Sequence, residues 1–131
     1  MATRDLLRNT LTSQSLAPAV RTSTGTGSAV DLRGYDGAVV TVSFGAWTDG
    51  THTPSVLSSV DGTTYNAAAA SDLLGTFTAV SGTAGQNNVQ QVGYIGSQRF
   101  LKVVMTVAGA TSGAASASDI VAGYPHAGPT Q

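Results

Sequence analysis

The chain reads as an all-β sandwich or barrel, and three features of its 131 residues say so. Short β-prone runs recur at close spacing, each bounded by clusters of Gly, Asp, Ser and Asn, which is the pattern of a sandwich or barrel. No crossover helices separate the runs, so βαβ units are excluded. Two Asp-Gly-Thr turns, at Asp49 and Asp61, fall between β runs, where Asp bonds the backbone two residues on and Gly supplies positive φ.

The elements follow in order. "RDLLRNTL" shows a short helical spacing, Leu7 to Leu11, with Thr3 as a candidate cap; it is too short to be stable alone and is expected to be an arm, residues 1–14, that packs on something else. The domain proper is expected over 15–131, ending in a short tail. "QSLAPAVRT" is extended, and Pro18, with no N–H to donate, assigns it to an edge. "AVDL" is a short strand. In "AVVTVSF" Val40, Val42 and Phe44 share one face. "GAWTDGTHTP" is expected to be a turn region before the strand "SVLSSV". After the second Asp-Gly turn come "TYNAAA", "TFTAV" and, past the polar loop "SGTAGQNN", "VQQVGYI". "RFLKVVMTV" is the strongest strand, with Leu101, Val103, Met105 and Val107 on one face; in "ASDIVAGY" Ile120, Ala122 and Tyr124 alternate. The expected core is Val40, Val42, Phe44, Leu101, Val103, Met105, Val107 and Ile120.

Composition narrows the function. The length suits one domain that buries roughly two-thirds of its unfolded surface. The absence of cysteine excludes disulfides, thiolate zinc sites and thiol nucleophiles. No run approaches the ~20 apolar residues of a membrane span, and the first residues lack a signal-like apolar run. Charged residues make up 10% of the chain, against about 25% in an average domain, and all seven acids are Asp. Such a surface of Thr, Ser, Ala and Gly suits a protein largely covered by other chains. Six basic residues in a chain of net charge −1 argue against nucleic acid as a partner.

Candidate chemistry centres on "TDGTHTP". Asp49, His52 and Ser55 or Ser58 contain the residue types of a hydrolytic triad, but they crowd into one turn and lack a strained nucleophile elbow. Asp-Gly-Thr reverses the Asp-Thr-Gly order of aspartic proteases. Neither Asp49 nor Asp61 has a second carboxylate close by, and His52 and His126 lack a third ligand, so no metal or cofactor is expected. Trp47 with Tyr35 or Tyr65 has the makings of a sugar-stacking platform; a Trp beside a turn also plugs the end of a sandwich. Half of the positive charge, Arg4, Arg8 and Arg21, lies in the first 21 residues, as in an arm that anchors on a larger acidic surface.

The segments "VDLRGYDGA", "WTDGTHTP" and "GSQRFLKV", within a stretch from about Ser15 to Pro129, resemble a group of small tailed-bacteriophage virion structural proteins. The resemblance implies a jelly-roll sandwich serving as a capsid cement, or decoration, protein. It would sit on the outer surface of the phage capsid after synthesis in the bacterial host cytoplasm. It would bind the phage major capsid protein and itself, a dimer being favoured, and contact neither nucleic acid nor membrane. No catalytic residue comes with the resemblance, and the protein is expected not to be an enzyme. A neck or tail component and a surface carbohydrate-binding module are the alternatives. The expected interface residues are Arg4, Leu7, Arg8 and Leu11 in the arm, Trp47, Asp49, His52 and Thr53, then Gln86, Asn87 and Asn88, and His126 in the tail.

Overall fold

A computed structural model describes residues 6–125. Among these residues ten strands follow a 3-10 turn at Leu7–Asn9: β1 (Thr10–Arg21), β2 (Gly25–Thr26), β3 (Val30–Asp31), β4 (Tyr35–Trp47), β5 (Thr51–Ser59), β6 (Asn66–Ala67), β7 (Leu73–Leu74), β8 (Asn88–Tyr94), β9 (Phe100–Ala108) and β10 (Ala114–Pro125). One sheet runs β1-β10-β4-β8-β7 and the other β2-β9-β5-β6, with β3 also on β9; every pairing is antiparallel. β2 and β3 pair with successive parts of β9 and so share one position. β7 extends the outer edge beyond β8. Eight positions remain, and their order is that of a two-sheet jelly roll, in which the first and last strands are neighbours and consecutive strands pass from sheet to sheet except at the β5–β6 pair.

The core lies between the sheets and is supplied by alternate residues of each long strand. β4 contributes Ala38, Val40, Val42 and Phe44, β8 Val92 and Tyr94, and β9 Leu101, Val103 and Met105, all buried. Fully burying such a side chain contributes roughly 1.5–3 kcal/mol. The inward positions of β10 are small apart from Ile120: Ala114, Ser116, Ser118 and Ala122. Of the expected core, seven residues are buried and Val107 packs half-buried against the cluster.

Ser15 stitches the two sheets together. Its hydroxyl donates to the Ser28 carbonyl at 2.8 Å and accepts the buried Val103 N–H at 3.1 Å, and its carbonyl accepts the Ser28 N–H at 2.6 Å.

Several expected boundaries move. Thr10–Gln14 are already strand, paired with Gly123 through Asp119, so the arm boundary at residue 14 falls inside β1. The helical spacing of Leu7 and Leu11 yields only the 3-10 turn, because β10 offers Thr10 onward a ladder that outweighs a short helix. "THTP" is not turn: Thr51–Pro54 pair with Ala108 through Met105. "TFTAV" is not a strand but a loop joined to the sheet by a single bridge, Val80 to His52.

Candidate functional site

The two ends of the sandwich hold the segments that the sequence singled out. At one end the β4–β5 connection crosses between sheets, so it is not a hairpin. Gly50, with φ 87°, makes the turn. Asp49 does not bond its own turn. Its carboxylate accepts the backbone N–H groups of Thr111, Ser112 and Gly113 in the β9–β10 loop, the last at 2.6 Å. These N–H groups, Gly113's foremost, hold the Asp49 carboxyl below the usual carboxylate range. The return contact runs from the Thr48 N–H to the Gly113 carbonyl at 2.9 Å.

His52 lies on the inward face of β5 and is 0% exposed. Its Nε2 lies 3.0 Å from the Asp49 carbonyl, while Nδ1 is buried with no hydrogen-bond partner among the described residues. Its backbone exchanges two 2.8 Å bonds with Val80, which pins the long β7–β8 connection. Trp47 donates its indole N–H to the Gly50 carbonyl at 2.9 Å and packs half-buried against the core. Gln86 accepts the Trp47 backbone N–H through Oε1 at 3.0 Å, and the Asn87 N–H donates to the Gly45 carbonyl. Three loops are thus locked into one rigid rim by the residues that sequence offered as chemistry.

This geometry corrects one expected contact residue, His52, and gives Asp49 a structural task. His52 is a core residue and cannot touch a partner, because period two in β5 turns it inward. The Asp49 carboxylate is committed to three backbone amides. His52 Nε2 lies against the Asp49 backbone carbonyl, and among the described residues no hydrogen bond joins the imidazole to the Asp49 carboxylate, so the triad arrangement is not formed. Thr53, Asn87 and Asn88 are exposed, and Gln86 is half-buried. Leu7 and Leu11 lie at the other end of the first sheet, the length of β4 away from Trp47, with exposures of 71% and 37%. Arg8 is exposed beside Leu7. Arg4 and His126 lie outside the described residues. The expected interface is therefore two separate surfaces. The three aromatics of the candidate sugar platform are likewise apart: Tyr35 and Trp47 are the first and last residues of β4, and Tyr65 carries Lys102 Nζ at 4.0 Å over its ring. Among the described residues no three His, Cys, Asp or Glu side chains cluster as metal ligands, and no helix is long and apolar enough to cross a membrane.

At the opposite end "LRGYDG" and "GSQR", far apart in sequence, line one open cleft of about 460 Å³ together with Tyr94. Arg99 binds Asp31 in a fork, Nε to Oδ1 at 2.9 Å and a terminal nitrogen to Oδ2 at 2.8 Å, and its carbonyl accepts the Leu32 N–H. That guanidinium holds the Asp31 carboxyl at about 2. The Tyr94 hydroxyl accepts the Gln98 N–H at 3.0 Å, and burial pushes its pKa up. Sequence reasoning named this cleft only as two family-like segments; spacing carried no sign that they meet.

No family model matches the sequence, and no curated protein matches it. Among solved structures, the fold is similar to that of the SPBc2 prophage-derived protein YomS, at 18% identity and a TM-score of 0.53, over 87% of this chain and 93% of that one. A structure described as Bacillus endospore appendages forming a novel family of disulfide-linked pili aligns at 11% identity and a TM-score of 0.47, over 89% and 88%. At these identities the likeness is one of fold.

Proposed function

We propose that this chain is a non-enzymatic structural protein of a phage particle, a decoration protein that binds the outside of the head and bridges major capsid protein subunits. The observation that carries this is the use of its polar residues. Asp49, Trp47 and Gln86 lock loops into a rigid rim, His52 is buried, and what remains outside is a Thr- and Ser-rich surface with few charges. Such a surface lets many copies lie side by side without mutual repulsion, and repetition multiplies modest contacts. A fold shared with a prophage-derived protein over 87% of this chain supports the phage-related structural part of this reading.

The test is occupancy on purified particles. Copies distributed over the whole head lattice, and kept by tailless heads, are the expected result. A single ring's worth of copies, lost with the tail, would assign the chain to the neck or tail and overturn the decoration role.

A further inference from the structure

The four sheet edges are not alike. β7, β6, β2 and β3 are strands of two residues each, too short to template another chain, and the stretches of β8 and β5 that β7 and β6 leave uncovered are engaged by the neighbouring loops: Gln90 bonds Thr78 through its side-chain amide, His52 exchanges backbone bonds with Val80, and the Val56 carbonyl accepts the Ala68 N–H. β1, at the remaining edge, has twelve residues. Its second half is closed. The Ser15 carbonyl is taken by Ser28, the Ala17 carbonyl accepts the Arg21 guanidinium, and Pro18 has no N–H. The register also shifts between Gln14 and Leu16 and again between Leu16 and Ala19. Bulges, proline and covering side chains are the devices by which proteins blunt an edge.

Leu11–Gln14 carry none of these. They keep an unbroken register with Ala122, Val121, Ile120 and Asp119, and hold neither proline nor charge. No described strand lies beyond them. Leu6 and Leu7, 72% and 71% exposed, stand at the approach to this segment.

We propose that this open half-edge pairs with the same half-edge of a second copy. The strands run antiparallel about a two-fold axis at Thr12, so that Thr12 faces its own image and Leu11 faces the partner's Ser13. The two five-stranded sheets then become one. The occupant follows from charge: self-pairing sets each residue against itself or a near neighbour, which an edge bearing one sign of charge cannot tolerate, and Leu-Thr-Ser-Gln bears none. The interface is self-complementary and closes at two copies, because the bulges and Pro18 end it on both sides. It gives the self-association of a decoration protein a surface, yet is answered on the free protein; its failure would leave the capsid role to be settled on particles.

Sedimentation velocity on the purified chain should show a mass twice 13.1 kDa. Thr12 is exposed and pairs with Val121 on the outward face, so Thr12→Lys and Thr12→Glu should each fold, by circular dichroism, and each sediment as monomer. Mixing the two should restore the dimer, since opposite charges then face each other. The chain has no cysteine, so Thr12→Cys should cross-link cleanly under oxidation while Thr106→Cys, exposed on the other sheet, should not. A monomeric wild-type chain overturns the proposal. So does a dimer that survives Thr12→Lys and gives no Thr12→Cys cross-link.

Discussion

The Asp49 carboxylate accepts the Gly113 backbone N–H at 2.6 Å across 64 residues of sequence. It thereby makes one turn the anchor of a loop from the other end of the chain. Asp49→Ala removes the acceptor for all three amides; Asp49→Asn keeps one oxygen but sets an NH2 group against donors. The expected order of stability is wild type, then Asn, then Ala. Hydrogen exchange should show Thr111, Ser112 and Gly113 losing protection while the Val103 amide keeps its own. Unchanged exchange at 111–113 in the Ala variant would show that the loop is held by something else.

Acid should undo these turns in a defined window. Asp61 accepts the Thr63 and Thr64 N–H groups and the Ser59 hydroxyl, which lower its pKa to about 2, and Asp31 is held at about 2 by Arg99. A carboxyl whose folded value lies below its unfolded value stabilises the fold fully above the unfolded value near ~4, and that contribution is lost as pH falls through the folded value. Unfolding midpoints should therefore be flat from neutral pH down to about 4 and drop between there and about 2. Asp61→Asn should make that limb shallower, because its side chain no longer binds a proton on unfolding. A drop as steep as that of the wild type would take Asp61 out of the account.

Ser15→Ala tests the seam between the sheets. The methyl group fits, but the buried Val103 N–H loses its acceptor, a loss of about 1–3 kcal/mol. Denaturant unfolding should register it as a lower midpoint with an unchanged slope. Ser55→Ala, which removes a longer 3.3 Å bond to Val104 from a half-buried position, should cost less.

What the sequence disclosed follows the range of the forces involved. Alternation along β4 and β9 is local, and Val40, Val42, Leu101, Val103 and Met105 are core as expected. Turn chemistry is local too: Gly50 and Gly62 both have positive φ, and Asp61 bonds two and three residues on. Asp49 has the same local motif, yet its acceptor is used 64 residues away, and nothing in "TDGT" distinguishes it from "VDGT". Gly50 and Pro54 flank His52 and predict a turn; β9 instead pairs with Thr51–Pro54, and period two then turns the imidazole inward. "TFTAV" has strand propensity, yet only Val80 joins a ladder, bridging to His52; Thr78 is held instead by the Gln90 side-chain amide, and Phe77 packs against the core.

Two glycines separate close packing from mere flexibility. A Cβ on Gly27 would lie 2.5 Å from Ser15 Oγ and 2.7 Å from the Val103 carbonyl, against backbone that cannot move. Gly82 is extended, with φ −168°, and a Cβ there meets nothing within 4 Å. Gly27→Ala should therefore destabilise by roughly 1–3 kcal/mol. Gly82→Ala should leave stability unchanged or raise it slightly by restricting the unfolded chain. Equal midpoints for the two variants would contradict the Gly27 packing.

His52 separates a structural role from a surface one. As a fully buried side chain on β5 it fills volume opposite Val107 of β9, and truncation leaves a cavity. His52→Ala should cost on the order of 2–4 kcal/mol. His52→Leu keeps most of the volume and removes the unpartnered Nδ1; it sacrifices only the contact with the Asp49 carbonyl, so its loss should be below about 1.5 kcal/mol. A catalytic or contact histidine predicts the reverse pattern: little change in unfolding for either variant, and equal loss of function for both. Unfolding curves of the two proteins side by side therefore decide between the roles, because only burial makes the leucine a better replacement than the alanine.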